Sequence, residues 1–178
     1  MQDEKNVVER AKKGDKGALS KLYEEYFDRI YRYCAIRLSD RAEAEDLTEQ
    51  VFLKMLESIK SFKWKGAPFS SWLFRIAHNQ VIDWRRKMGK RQDLPLNDDI
   101  LSGGTDTAAA AELNLTMDEL NSAMRRLTDL QRQVIVLRFA SGLSIAETAS
   151  SMGKSDGAVK ALQHSAVAAL RRAMSGGW

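Results

Sequence analysis

The sequence predicts an all-α protein built as two small helical domains joined by a flexible acidic linker. Three observations carry that prediction. The 178 residues include only two prolines and eleven glycines, and no short window alternates apolar and polar positions with β-branched enrichment, as a strand would. Apolar residues recur instead at spacings of three and four along most of the chain. Between them, residues 89–107 (GKRQDLPLNDDILSGGTDT) lose this period and collect Gly, Pro, Asn, Asp, Ser and Thr, the composition of a connecting segment.

Leu19, Leu22, Tyr23, Tyr26, Phe27, Ile30, Cys34 and Leu38 mark one amphipathic helix from about Lys16 to Leu38, preceded by a polar, charged stretch from Met1 to Asp15. A second helix runs from about Arg41 to Ile59, with Leu47, Val51, Met55 and Ile59 inward. After Gly66-Ala67-Pro68 a third runs from about Phe69 to Met88, with Leu73, Ile76, Ala77, Trp84 and Met88 projecting to one side. Beyond the break, Leu113, Met117, Leu120, Met124 and Leu127 restart the stripe. The expected domains are therefore 1–90 and 113–178, with 91–112 as linker.

Charge is distributed in blocks. Residues 60–93 carry nine Lys and Arg against two Asp, a net charge of +7 that exceeds the whole-chain +4. Residues 40–57 are acidic, and residues 94–119 hold six acids and no Lys or Arg. Such alternation suits different partners on different surfaces, although any single block can also be a solvated face. No apolar run approaches the roughly 18 residues of a membrane span, so no direct membrane insertion is expected and the chain is read as cytoplasmic. The single Cys34 sits at helical spacing among Tyr31, Ala35 and Leu38, where a packed thiol is expected. One Cys and two His at no metal-ligand spacing imply no metal site, no cofactor and no catalytic group.

The C-terminal segment SIAETASSMGKSDGAVKALQHSAVAALRR (144–172) reads as a helix-turn-helix. Thr128 with Gln131, and Ser144 with Glu147, each fit a capping box. Gly142 is a plausible helix stop, and Gly153 permits positive φ in the turn. Ala149 is small where the helices cross, while Val159 and Leu162 face inward. Gly157, Lys160, Ala161, His164, Ala168 and Arg171 then face outward, small near the helix start and basic beyond, as a major-groove reader requires. A plain helical hairpin with a solvated outer face is the alternative. Upstream, Phe62, Trp64, Phe69 and Trp72 interleave with Lys63 and Lys65, combining cations for phosphate with rings on which unpaired bases can stack. Trp72 is the better candidate for core and Trp64 for function. Arg75, Asn79, Ile82 and Arg86 form a stripe too polar to pack on a core.

Three blocks, AEDLTEQVFLKML (44–56), FSSWLFRIAHNQVIDWRRK (69–87) and the helix-turn-helix segment, resemble in order the extracytoplasmic-function (ECF, group IV) sigma factors of the sigma-70 family. That resemblance implies a sigma2-like bundle and a sigma4-like domain, and a protein that binds core bacterial RNA polymerase, directs it to promoters and helps open them. It implies that Asp46, Glu49, Gln50, Leu53 and Glu57 dock on core RNA polymerase. It implies minus-ten recognition, on single-stranded DNA, by Trp64, Lys65, Gly66, Ala67, Pro68, Phe69, Ser70, Ser71, Arg75, His78, Asn79, Asp83 and Arg86. Minus-35 recognition, on duplex promoter DNA, falls to Lys154, Ser155, Gly157, Lys160, Ala161, His164, Ser165 and Arg171. An anti-sigma factor partner is implied by the resemblance alone.

Two rivals fare less well. Gly153-Lys154-Ser155 echoes the end of a phosphate-binding loop, but the earlier glycine is missing, since position 148 is Thr. A simple helix-turn-helix repressor accounts for the C-terminal half but leaves the basic aromatic loop and the acidic helix without a purpose.

Overall fold

The computed structural model describes residues 2–38, 40–64, 66–88 and 119–175, which form helices joined by turns and short irregular segments, with no strand among them. The expected linker, 91–112, lies outside the described residues. In order the helices are α1 (Gln2–Lys12), α2 (Lys16–Leu38), α3 (Arg41–Ser58, closed by a 3-10 turn, Ile59–Ser61) and α4 (Phe69–Met88). After 89–118 come α5 (residues 119–125), then α6 (Asp129–Ile135, running into a π-helical turn, Val136–Ala140), α7 (Ile145–Met152) and α8 (Asp156–Ser175).

α2 is the central helix of the first group, packing against α1, α3 and α4. It buries Ala18, Leu22, Tyr26 and Ile30 at steps of four along one side, and then Tyr33, Cys34, Ala35, Arg37 and Leu38 from more than one side. Aromatic edges fill the gaps: Tyr33 meets Phe74 at 5.7 Å and 85°, and Tyr26 meets Phe69 at 5.7 Å and 64°. Burial pushes the Cys34 thiol up to about 12, so it is a protonated packing group.

α1 forms where the sequence shows only a polar stretch. Val7, Val8 and Ala11 are buried against α2 and the 3-10 turn, three apolar positions too few to announce a helix. Two contacts fasten its first half: Tyr26 Oη donates to Glu4 Oε1 at 2.5 Å and Lys21 pairs with Asp3 at 3.1 Å. On α4 the inward face is also shifted from expectation. Phe69, Leu73, Phe74, Ala77 and Val81 are buried, whereas Met88 is exposed and Ile76 and Trp84 are only half-buried.

The C-terminal group follows local rules closely. Thr128 and Ser144 both close complete capping boxes, with Gln131 and Glu147 as the reciprocal partners. Gly153 ends α7 at φ +63°, a left-handed conformation in which a Cβ would be strained. Gly142 likewise stands at φ +69° after the π turn. Val134, Ala149 and Val159 form a small core of their own where α6, α7 and α8 meet.

The two groups share one apolar cluster. Met124, Leu127, Ile135, Val136, Leu137, Leu143 and Ala166 join the side chains buried by α1 to α4, and α7 lies directly on α4. Phe74 is fully buried, so Phe74→Ala should cost about 3–5 kcal/mol in denaturant unfolding, while Ser144→Ala should cost about 1 kcal/mol. A Phe74 variant as stable as the parent would contradict this packing.

Candidate nucleic-acid interface

The acidic face of α3 is open to solvent. Asp46, Glu49, Gln50, Leu53 and Glu57 are all exposed, with Leu53 at 59% and its neighbour Leu56 at 45%. Two large apolar side chains open to water among carboxylates is unusual for a face meant only for solvent. Tyr23 of α2, also exposed, rests on Phe52 at 4.7 Å and continues the apolar strip across to the next helix.

The residues expected to read a single strand divide into three sets. Trp64 is half-buried, its ring edge-on to Phe62 at 5.0 Å and its indole N–H donated to Glu9 Oε1 at 3.1 Å. Gly66 follows at φ +74° and is exposed, with Ala67 and Pro68 half-buried; Lys65 lies outside the described residues. Phe69 belongs to the core, packed among Tyr26, Phe62 and Trp72. Trp72 is half-buried and packs against that same core, as the sequence suggested.

A third set is covered by the helix-turn-helix. Ser70 Oγ donates to Glu147 Oε1 at 2.5 Å, Ser71 Oγ donates to the Glu147 carbonyl at 2.9 Å, and Arg75 donates to the Ser150 carbonyl at 2.7 Å. Both serines are buried. Glu147 also accepts the Ser144 N–H, closing the α7 capping box. Burial raises its carboxyl pKa, but the bonds from Ser70 and Ser144 outweigh that and hold it below the ordinary carboxylate value. Nearby Arg29 of α2 donates to the Ser141 carbonyl at 2.9 Å while lying over the Tyr26 and Phe74 rings.

Further along α4, His78 Nδ1 meets Tyr33 Oη at 3.2 Å and Gln133 Nε2 at 3.0 Å. Because the Gln133 amide N–H can only donate, Nδ1 must accept, which requires neutral imidazole. Burial, then Arg37 and Arg85, lower the His78 pKa. Arg85 reaches Asp129 at 3.8 Å across the same seam. Asn79 and Arg86 are exposed and Asp83 is half-buried, with Arg86 paired to Asp83 at 2.5 Å. Ser70 and Ser71 are thus buried with their hydroxyls bound to the C-terminal group, Arg75 gives it one of its five N–H donors while remaining exposed, and His78 Nδ1 is shared between Tyr33 and Gln133.

The set expected to read duplex is open by comparison. Ser155, Gly157, Lys160, Ala161, His164, Ser165 and Arg171 are exposed on α8 or at its start, and Lys154 is half-buried. Ser155 Oγ accepts the Ala158 N–H at 3.2 Å and thus caps α8. Ser165 Oγ accepts from Gln131 at 2.8 Å, fastening α8 to α6. Sequence reasoning did not reach Arg29, Gln133 or Glu9 as partners of these residues. Glu147 was visible only as a capping residue.

Residues 22–91 match the family Sigma-70 region 2, and residues 123–172 match Sigma-70, region 4. The chain is 38% identical over 168 residues to the ECF RNA polymerase sigma factor BldN of Streptomyces coelicolor, covering 93% of this chain and 64% of BldN, so it spans somewhat under two thirds of that relative. It is 31% identical to the ECF RNA polymerase sigma factor SigW of Bacillus subtilis, covering 94% of this chain and 95% of SigW. Among solved structures, CnrH in complex with the cytosolic domain of CnrY has the same fold at a TM-score of 0.74, 23% identity and 97% coverage of each chain. The sigma factor RpoE in complex with the anti-sigma factor NepR from Bartonella quintana gives 0.67 at 20% identity, covering 89% of this chain and 98% of that one.

The seam responds to acid with a definite sign. His78 is held neutral in the packed form and has a pKa below its ordinary 6.5. The packed form thus binds fewer protons, is fully favoured above about pH 6.5 and weakens as pH falls below it. Tyr33 and Arg37 from α2, Arg85 on α4 and Gln133 from α6 bear on the ring, and Asp129 and Arg132 bear in turn on Arg85. Glu147, held below 4.5, adds to the loss only at lower pH. Small-angle scattering should show expansion as pH falls below about 6.5, absent in His78→Gln. An unchanged radius across that range would remove His78 from the balance.

Proposed function

Since the chain belongs to the ECF RNA polymerase sigma factors of the sigma-70 family, we propose that it docks core RNA polymerase through α3, reads the minus-35 element with α8 and captures the minus-ten strand with α4 and the Trp64 loop. It falls within group IV on this reading, works in the cytoplasm and performs no chemistry of its own. The carrying observation is the order of surfaces on one chain: an acidic helix with exposed Leu53, a basic aromatic loop and helix, and a capped helix-turn-helix, matched in sequence to regions 2 and 4.

Each surface has a physical task. Around Leu53 the carboxylates steer toward a basic partner, and the apolar side chains supply the area that charge alone does not. On α8, Gly157 and Ala161 keep the helix start slim enough for a major groove, while Lys160, His164 and Arg171 stand ready for phosphates or base edges. Around Trp64, an unpaired base can be held off the stack, offsetting an unstacking cost of a few kcal/mol. An anti-sigma factor fits the same reading, since CnrH and RpoE were each solved with such a partner or a cytosolic fragment. No helix among the described residues is long and apolar enough to cross a membrane.

Mixed with core polymerase, the chain should give promoter-specific runoff transcripts, and it should co-purify with core enzyme. Leu53→Asp should weaken that association by about thirtyfold, a hot-spot-sized loss, and a variant that co-elutes like the parent would remove α3 as the docking face. Trp64→Ala should slow promoter opening, followed by permanganate reactivity, while leaving the minus-35 footprint intact. Equal loss of both would refute the division of labour between the two readers.

A further inference from the structure

Trp64 is not left to find its own orientation. Its indole N–H donates to Glu9 Oε1 at 3.1 Å, and the same oxygen takes Lys12 Nζ at 3.1 Å. The Lys12 bond is the leading reason the Glu9 carboxyl sits below its ordinary pKa, with Trp64 contributing in the same direction. Glu9 is held by a helix that cannot easily drift. Val8 is fully buried and Ala11 nearly so, and Glu4 and Asp3 are fastened to Tyr26 and Lys21 of α2. On its other side the ring leans edge-on against Phe62, which is itself locked against Phe69 and Trp72. The face of the indole is thereby fixed by α1 on one edge and by the core on another, next to the exposed turn at Gly66.

We infer that Glu9 is a positioning residue for minus-ten capture: α1 presets the Trp64 ring, through the Glu9 carboxylate, in the orientation that receives an unpaired base. The inference rests on the proposed role of Trp64. An indole free to rotate would have to be ordered when the strand arrives, a loss that binding must overcome. Glu9 itself needs no contact with DNA. Its negative charge faces Lys12 and the indole, so its contribution is directional, and an uncharged acceptor in the same place should serve nearly as well.

The test uses the full chain assembled with core polymerase on a promoter mapped by runoff transcription. Opening is followed by permanganate reactivity of unpaired thymines, selectivity by the penalty for substituting each minus-ten base, and duplex binding by the minus-35 footprint. Glu9→Ala should slow opening about 3- to 10-fold and flatten the penalty at one base, a side chain's worth of lost order. Glu9→Gln should keep both at the parental level, Trp64→Ala should lose at least as much as Glu9→Ala, and the footprint should be the same in all. Glu9→Ala matching the parent while Trp64→Ala is impaired overturns the positioning role and leaves the ring's role standing. Trp64→Ala matching the parent overturns the reading of the ring itself. Failure of Glu9→Gln to rescue, or loss of the minus-35 footprint in Glu9→Ala, also overturns the inference, because the effect would then follow charge or general stability.

Discussion

One carboxylate serves two helix N-termini. Glu147 closes the α7 capping box through the Ser144 N–H and, with its other oxygen, accepts from Ser70 in the first turn of α4. Both helix starts carry partial positive charge and unsatisfied N–H groups, so a single buried-edge anion between them is favoured by each. The arrangement brings the N-terminal turns of α7 and α4 side by side, and the rest of the contact follows. Ser71 and Arg75, one and five residues on from Ser70, then fall opposite the carbonyls of Glu147 and Ser150. Arg29 is drawn to the Ser141 carbonyl at the entrance to the same motif.

The seam so formed is cohesive in its apolar part and imperfect in its polar part. Leu137, Leu143 and Ala166 are fully buried with the first group's core, which is the favourable term. Against it, Ser141 Oγ, Thr148 Oγ1 and Ser151 Oγ, on the segments that meet α2 and α4, are buried with no hydrogen-bond partner, and Arg37 has two such nitrogens. Groups of this kind cost about 1–3 kcal/mol each relative to exposure. Arg37 and Arg132 also bear on Arg85, whose counter-charge, Asp129, stands at 3.8 Å and is largely exposed. An interface with these debits is held together without being held permanently. Separation would return hydroxyls and guanidinium groups to water, offsetting part of the apolar loss.

What was legible in the sequence was what neighbours decide. Both capping boxes, the positive-φ glycines at 142 and 153, and the span of α2 depend on residues within a few positions of one another. The inward pair Ala149 and Val159 was legible for the same reason, being fixed by one turn. What was not legible is what distant residues decide. α1 looks polar because its buried face is only Val7, Val8 and Ala11, and its hold on α2 comes from Tyr26 and Lys21. Phe74 and Val81 were displaced from the expected inward face of α4 because that face is set by Tyr33 and by the arrival of α7. Nor could spacing show that Ser70, Ser71 and Arg75, expected at DNA, would each donate a hydrogen bond to a residue about 75 positions away.

The two expected DNA readers are left in unequal states by this packing, and the difference orders what can happen. α8 keeps Gly157, Lys160, Ala161, His164 and Arg171 exposed, and none of them bonds across the seam to α4. α4 has its first turns against α7, and its two buried serines can meet a phosphate only after leaving Glu147, while exposed Arg75 gives one donor to Ser150. The Trp64 ring lies outside that cover, already oriented by Glu9. On the proposed function, a partner that draws the two groups apart supplies the free energy that frees the strand-binding helix, and it need supply only the differential affinity between packed and separated forms. Core polymerase meets this condition if it grips both groups at a spacing the seam does not allow. An inhibitor meets the opposite condition by binding the packed form better. The same few hydrogen bonds around Glu147 would then be the ones that both kinds of partner act upon, in opposite directions.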